Sequence, residues 1–123
     1  MDGVEDRERC AKHTPVDDNG YGISHEPEIA GVGRVVLAGE FDGDNAAELT
    51  AALLRTVGDA QVDRIAVDLA GTTFLDSSAI RALDTAYQAA LDAGKQFQLH
   101  YLQPHLRRLF EILQMTALLH PQG

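Results

Sequence analysis

The sequence predicts one α/β domain in which helices cover a mixed, mostly parallel sheet of four to five strands. Strand-like and helix-like segments alternate along the chain, which is typical of this architecture. Strands joined by a helical crossover are expected to pair in parallel, through right-handed connections. The length of 123 residues fits a single domain. The hydrophobic fraction of 45% is enough for one core without disulfides or metal ions.

The strands are predicted from β-branched runs and from alternation of apolar and polar residues. A first strand is predicted at 21–25, where Glu26-Pro27-Glu28 would interrupt it. Glycines bound a second strand at 33–39, and 64–69 is the central strand. The last strand alternates Phe97, Leu99 and Tyr101 with polar residues, so these three side chains are expected to pack in the core.

Three helices are predicted from the helical period of apolar residues and from capping signals. Asp44 is the expected N-cap of the first helix and Gly58 its C′ residue. Asp76-Ser77-Ser78 begins the second helix, which ends at Gly94, and Pro104 begins the third. The predicted buried stripes are Ala46, Leu49, Leu53 and Val57; Ile80, Leu83, Ala86, Tyr87, Ala90 and Leu91; and Leu106, Leu109, Phe110 and Leu113. Leu118 and Leu119 would dock a short final segment.

The charge of the chain argues against nucleic acid as a direct partner. The formal net charge is -9, whereas nucleic-acid binders normally carry a basic face. Residues 1–75 hold 15 of the 19 acidic residues and only 6 of the 10 Lys and Arg residues. An acidic surface steers towards a basic protein partner, although simple solubility explains most of these charges equally well.

The first 20 residues are polar and predict a flexible tail, followed by the domain at 21–123. Cys10, the single cysteine, allows no intramolecular disulfide, which is typical of a reducing compartment. No apolar run approaches the length of a membrane span, and the first residues lack the pattern of a secretory signal. We therefore expect a soluble cytoplasmic protein without a membrane partner.

Two hydroxyl side chains, Ser77 and Ser78, are predicted in the first turn of the second helix. Backbone N–H groups there lack intrahelical acceptors, and the helix dipole is positive, so a phosphate on either serine would be stabilised. Ordinary helix capping by Asp76 and the serines explains the same pattern, and the spacing alone favours it.

The run Phe74-Leu75-Asp76-Ser77-Ser78-Ala79-Ile80 resembles the signature of STAS-domain anti-sigma-factor antagonists, a strand that ends in a hydrophobic-Asp-Ser-Ser-Gly-Leu sequence. The resemblance covers about residues 21–119, and three further stretches carry it in the expected order. These are Leu37-Ala38-Gly39-Glu40-Phe41-Asp42, Ile65-Ala66-Val67-Asp68-Leu69, and Leu106-Arg107-Arg108-Leu109-Phe110-Glu111-Ile112-Leu113.

The resemblance implies a STAS-like fold and a regulatory role in bacterial transcription. Ser77 would accept phosphate from an anti-sigma factor that is itself a serine kinase, and Ser78 is the second choice. The unphosphorylated domain would bind this kinase and free the sigma factor. A separate serine phosphatase would reset the switch. The expected contact surface comprises Glu40, Phe41, Asp42, Asp76, Ser78, Ala79 and Arg81.

Two departures from the family pattern lie next to the serines. Ala79 replaces the glycine after Ser-Ser and favours the helix start. Arg81 replaces a second glycine-like position and is placed to pair with a phosphate on either serine or with Asp84, although a solvated arginine explains it more simply. A third departure, Gln114, replaces a small residue near the end of the last helix.

The remaining residue patterns favour a binding module over an enzyme. The five histidines and the single cysteine form no zinc-binding spacing. No nucleophile elbow surrounds Ser77, and no second catalytic group is evident, so neither a metal nor a cofactor is predicted. The alternative function is a constitutive STAS scaffold in a signalling complex or on a transporter ATPase, with Ser77 acting only as a helix cap.

Overall fold

A computed structural model of the protein describes residue 16 and residues 20–112. This part of the chain confirms the predicted α/β fold. Its elements are β1 Tyr21–Ile29, β2 Val32–Phe41, α1 Ala46–Val57, β3 Arg64–Leu75, α2 Ser77–Asp92, β4 Gln96–His100 and α3 Pro104–Ile112. The predictions for the tail at 1–20, Cys10, Leu113, Gln114, Leu118 and Leu119 lie outside the described residues, apart from positions 16 and 20.

The four strands form one sheet in the order β1-β2-β3-β4. β1 and β2 form an antiparallel hairpin, whereas β2, β3 and β4 are parallel. Helices α1 and α2 make the two crossovers between the parallel strands, as expected for strands that cannot be joined by a tight turn. The sheet is therefore mixed and mostly parallel.

The hydrophobic core lies between the sheet and the helices. α1 and α2 contact each other, and their apolar faces share one cluster with side chains of β2, β3 and β4. Residues Ile65–Leu69 are buried on both faces of β3, which makes it the central strand. The largest fully buried side chains are Phe41, Phe97, Phe110, Leu37, Leu49, Leu53, Ile65, Leu69, Leu75, Leu83 and Leu106.

The expected interruption of the first strand at Glu26-Pro27-Glu28 is wrong, because β1 continues to Ile29. The pairing with β2 shifts register between Glu26 and Ile29, so this stretch forms a bulge. An edge strand tolerates proline there because one row of its N–H groups needs no partner. Ala30 and Gly31 then make a two-residue hairpin turn with φ angles of 54° and 84°.

Two expectations about the helix ends were wrong and one is confirmed. The N-cap of α1 is Asn45 instead of Asp44. Gly58 does end α1, but as the C-cap with φ of -80° instead of as a left-handed C′ residue. Gly94 does have a positive φ of 74° after the end of α2, as a C′ glycine is expected to have.

The expected core packing of Leu91 and Tyr101 is also wrong. β4 ends at His100, and Tyr101 has a left-handed φ of 64° with 59% of its surface exposed. This turn redirects the chain towards α3 and ends the alternation that predicted a buried Tyr101. Leu91 lies at the edge of the helix stripe and is 42% exposed.

The second half of β3 extends beyond the end of β4, whose pairing stops at Asp68 and His100. Side chains at the start of α3 bond to this free edge. Gln103 Nε2 donates to the Ala70 carbonyl at 3.4 Å, and His105 Nε2 hydrogen-bonds the Thr73 carbonyl at 3.0 Å. These bonds hold α3 against the strand segment that leads into α2.

Candidate functional site

The predicted serine site lies where β3 ends and α2 begins. Asp76 is the N-cap, and its Oδ1 accepts a hydrogen bond from the Ala79 backbone N–H at 2.9 Å. Ser77 and Ser78 occupy the first two helical positions, and both are exposed. Both hydroxyls are therefore accessible from solvent, while the cap that shapes the turn is provided by Asp76.

Two threonines that sequence reasoning missed hold the end of β3 in place. The pairing of β2 with β3 shifts register twice, between Val36 and Ala38 and between Gly39 and Glu40. Thr72 Oγ1 donates to the Leu37 carbonyl at 3.0 Å, and Thr73 Oγ1 donates to the Gly39 carbonyl at 3.3 Å. These hydroxyl hydrogen bonds connect β2 to β3 where the backbone ladder is irregular. Two adjacent threonines in an extended segment were the sequence signal for them.

Asn45 organises the loop after β2, and sequence reasoning missed it as well. Its side chain is buried, with Oδ1 accepting from the Asp42 N–H at 2.8 Å and Nδ2 donating to the Glu40 carbonyl at 3.1 Å. The Asp76 N–H donates to the Phe41 carbonyl at 3.1 Å, which joins this loop to the serine turn. The structure thus brings the two predicted contact segments together.

Two hollows of opposite charge flank the serine turn. One, of about 350 Å³, is lined by Tyr21, Glu40, Asp42, Asp44 and Asn45. The other, of about 370 Å³, lies between α1 and α2 and is lined by Ala46, Ala47, Thr50, Ser77, Ser78, Arg81, Ala82 and Thr85. We call the second the helix hollow. Arg81 is its one charged residue among the described residues that line it.

The predicted contact residues differ in their solvent exposure. Glu40, Ser78 and Arg81 are exposed, and Asp42 and Asp76 are partly exposed. Phe41 and Ala79 have no exposed surface, because both belong to the core cluster. We therefore expect these two to support the surface from beneath instead of touching a partner.

The ring of Phe41 packs edge-on against the ring of Tyr21, with centroids 5.5 Å apart. The Tyr21 hydroxyl in turn donates to the Glu48 carboxylate on α1. Phe41 thereby links the end of β2 to β1 and α1, which explains why an aromatic residue at this strand end is internal.

A second polar cluster, also missed, lies on the sheet face opposite to Val35 and Val67. Arg34 Nη2 donates to Asp68 Oδ2 at 2.7 Å, and Arg34 Nε lies 3.3 Å from Glu26 Oε1. Asp68 is only 1% exposed, and its Oδ1 also accepts from the Ala70 N–H at 2.9 Å. An acidic residue in an otherwise apolar central strand was the sequence signal for this buried ion pair.

His100 neighbours this cluster, since it pairs with Asp68 across β3 and β4. Partial burial lowers the pKa of His100, and the positive charges of Arg34 and Arg64 lower it further, while Asp68 opposes them. A neutral imidazole is therefore favoured in the folded protein.

The lowered pKa of His100 predicts that the folded protein loses stability as the pH falls below about 6.5, the usual histidine value. In that range the unfolded chain takes up the proton first, so acid favours unfolding. The His100→Gln variant is expected to show a shallower loss between about pH 7 and pH 5 in urea unfolding. The other histidines are present in both proteins, so their contributions cancel when the two pH profiles are compared. Parallel pH profiles would contradict the prediction.

The described residues contain no group of three or more His, Cys, Asp or Glu side chains arranged to hold a metal ion. None of their helices is long and apolar enough to cross a membrane.

The family is decided by a sequence model described as "Mlab, STAS domain", which matches residues 26–120. The chain belongs to the STAS-domain family. The match covers most of the chain and includes β2, the serine turn and α3. No curated protein matches this STAS domain.

Solved structures show the same STAS fold. An anti-sigma factor antagonist from Mycobacterium paratuberculosis has a TM-score of 0.72 at 22% identity, over 85% of this chain and 87% of that one. The Bacillus cell fate determinant SpoIIAA in its phosphorylated form has a TM-score of 0.65 at 16% identity, over 83% and 92%. A sulfate transporter family protein from Wolinella succinogenes has a TM-score of 0.64 at 17% identity, over 76% and 75%.

Proposed function

We propose that this STAS domain is an anti-sigma-factor antagonist controlled by phosphorylation of Ser77. Its unphosphorylated form binds an anti-sigma factor that is a serine kinase, and the sigma factor is thereby released. The proposal is carried by one observation: Ser77 is exposed in the first turn of α2, directly beside the loop that contains Glu40 and Asp42. We place this non-enzymatic switch in the cytoplasm.

In the proposed phosphorylation, Ser77 Oγ attacks the γ-phosphorus of ATP held by the kinase. The bond between that phosphorus and ADP breaks, and a base on the kinase takes the hydroxyl proton. A serine phosphatase later hydrolyses the phosphate ester with water. The product carries a charge of about -1.5 to -2 at neutral pH, in a turn whose free N–H groups and helix dipole favour an anion.

Phosphorylation would end binding because a small hydroxyl is replaced by a bulky, strongly hydrated anion. If the partner covers the exposed serine turn, docking must strip water from the phosphate, which is costly without a matching cation. The carboxylates of Glu40 and Asp42, in the loop that is hydrogen-bonded to the serine turn, add further negative charge. The same face would therefore accept the partner only in its unphosphorylated form.

We expect Ser77→Asp to weaken binding to the anti-sigma kinase at least about tenfold, which corresponds to about 1.4 kcal/mol. Ser77→Ala should bind normally and resist inactivation by ATP. Calorimetric titration measures both variants. Gln88→Asp is the matched control, because Gln88 is exposed on the same face of α2 about three turns further along. Equal weakening by both aspartates would indicate a general charge effect and contradict the switch.

The phosphosite itself is tested by incubating the protein with candidate anti-sigma kinases and ATP, followed by mass-spectrometric mapping. Phosphate is expected on Ser77 and absent from the Ser77→Ala variant. Phosphate that appears only on Ser78 would move the switch by one residue. The absence of phosphate on both serines with the cognate kinase would contradict the proposal.

A constitutive STAS scaffold, in a signalling complex or on a transporter ATPase, is the second candidate function. It is favoured by the fold shared with a sulfate transporter family protein from Wolinella succinogenes. In that case Ser77 and Ser78 are ordinary first-turn residues of α2 that carry no phosphate, and Asp76 is the helix cap. A Ser77→Asp variant that binds every partner as well as the unmodified protein does would favour the scaffold.

A further inference from the structure

We propose that Arg81 is the internal partner of the Ser77 phosphate, and that phosphorylation withdraws this guanidinium from the docking surface. This inference rests on the proposed function of Ser77. It adds a second effect to the switch: besides introducing an anion, phosphorylation would remove the cation that an acidic group of the partner would otherwise contact.

Helix geometry places the two groups within reach of each other. Ser77 and Arg81 are four residues apart in α2, and both line the helix hollow. Side chains at this spacing lie on the same helix face. The pair has the favourable order, with the anion on the N-terminal side and the cation towards the C-terminus. A guanidinium also matches phosphate oxygens through two parallel hydrogen bonds.

Arg81 is available for this role. Its side chain is exposed, and within residues 20–112 no carboxylate lies within ion-pair distance of it. Asp84, the expected alternative partner at the i+3 position, makes no such pair. The α1 side of the helix hollow consists of Ala46, Ala47 and Thr50, so neither charge nor bulk competes for the space.

The surroundings of the two serines favour Ser77 over Ser78 as the residue whose phosphate Arg81 binds. Ser78 Oγ lies 3.7 Å from the point where a side chain on Gly43 would begin. It therefore faces the loop that carries Asp42 and Asp44, whose carboxylates would repel a phosphate there. Ser77 lies four residues before Arg81, a spacing at which an anion on the N-terminal side of a cation is favourable.

The test uses full-length protein with phosphoserine incorporated at position 77 during translation, and follows the phosphorus-31 resonance from about pH 4.5 to 8. The Arg81→Gln variant is expected to raise the titration midpoint of the phosphate by about 0.5 pH unit, because the cation stabilises the dianion. Arg81→Lys should retain most of the effect. Arg108→Gln, which removes an exposed arginine on α3, should leave the midpoint unchanged.

The same variants with phosphoserine at position 78 should show a smaller effect of Arg81. In the proteins with phosphoserine at position 77, equal midpoints for Arg81→Gln and for the protein that retains Arg81 would overturn the inference. An equal rise in Arg108→Gln would overturn it as well. Thermal unfolding of the phosphorylated proteins gives a second readout, in which Arg81→Gln should lower the unfolding temperature.

This experiment separates the inference from the proposed function. The phosphate is introduced without a kinase, so a failure of every kinase to modify Ser77 would overturn the proposed function and leave the midpoints measurable. Conversely, titration midpoints that do not depend on Arg81 would overturn the inference and leave open the phosphorylation of Ser77 by a kinase.

Discussion

Replacing Arg34 with methionine is expected to lower the free energy of unfolding by about 3 kcal/mol. Asp68 is 1% exposed, and its Oδ2 accepts from Arg34 at 2.7 Å. Without Arg34, one buried carboxylate oxygen loses its charged donor, and only the Ala70 N–H remains on the other oxygen. The expected loss lies at the lower end of the range for breaking a buried ion pair, because the Arg34 side chain is 28% exposed and water enters from that side.

Urea unfolding measures this loss, with two control variants. Arg64→Met removes an exposed arginine at the start of β3 and should cost less than about 0.5 kcal/mol. The double variant Arg34→Met, Asp68→Leu removes both charges and should recover much of the stability, because the penalty comes from the unpaired charge. Equal losses for Arg34→Met and Arg64→Met would contradict a special role of the buried pair.

The Asn45→Ala variant is expected to lose about 2 kcal/mol of unfolding free energy. Alanine removes two hydrogen bonds, to the Asp42 N–H and to the Glu40 carbonyl, in a place where Asn45 is only 7% exposed. Because these bonds define the loop between β2 and α1, we also expect weaker binding of the proposed anti-sigma kinase, even though Asn45 itself is buried.

Asp44→Ala is the informative control for Asn45. The sequence predicted Asp44 as the N-cap of α1, and loss of an N-cap typically costs about 1 kcal/mol. In the structure Asp44 is exposed, and its backbone N–H donates to Asp42 Oδ1. We expect its replacement to change stability by less than about 0.5 kcal/mol. A larger loss for Asp44→Ala than for Asn45→Ala, measured by urea unfolding, would contradict the stabilising role given to the loop hydrogen bonds of Asn45.

Elements with strong local signals were predictable from the sequence. The start of α2 at Ser77 follows from Asp76, whose side chain bonds to the backbone three residues later, and its end follows from Gly94 in the left-handed conformation. The central strand was evident from the β-branched run at 64–69, and the structure buries Ile65–Leu69. Each of these features depends on residues adjacent in the chain, so the sequence alone determines it.

Other features depend on neighbours that are distant along the chain. Pro27 belongs to a strand only because β1 lies at the edge of the sheet, and Tyr101 is exposed because α3 must turn back onto β3. Asn45 instead of Asp44 precedes α1, and its side chain bonds to the Asp42 N–H and the Glu40 carbonyl of the preceding loop without capping the helix. Local propensity does not distinguish these alternatives, because it contains no information on what packs alongside.

The sequence by itself determined the α/β fold, the family signature and the position of the serines at a helix start. Only the tertiary structure decided that Phe41 and Ala79 are internal, that Asp68 is paired with Arg34, and that Arg81 shares a hollow with Ser77. The physical reason is that burial and ion pairing arise between strands and helices that are distant along the chain; Arg34 and Asp68 are 34 residues apart. Arg81 and Ser77 are neighbours in sequence, but α1 is needed to form the opposite wall of their hollow.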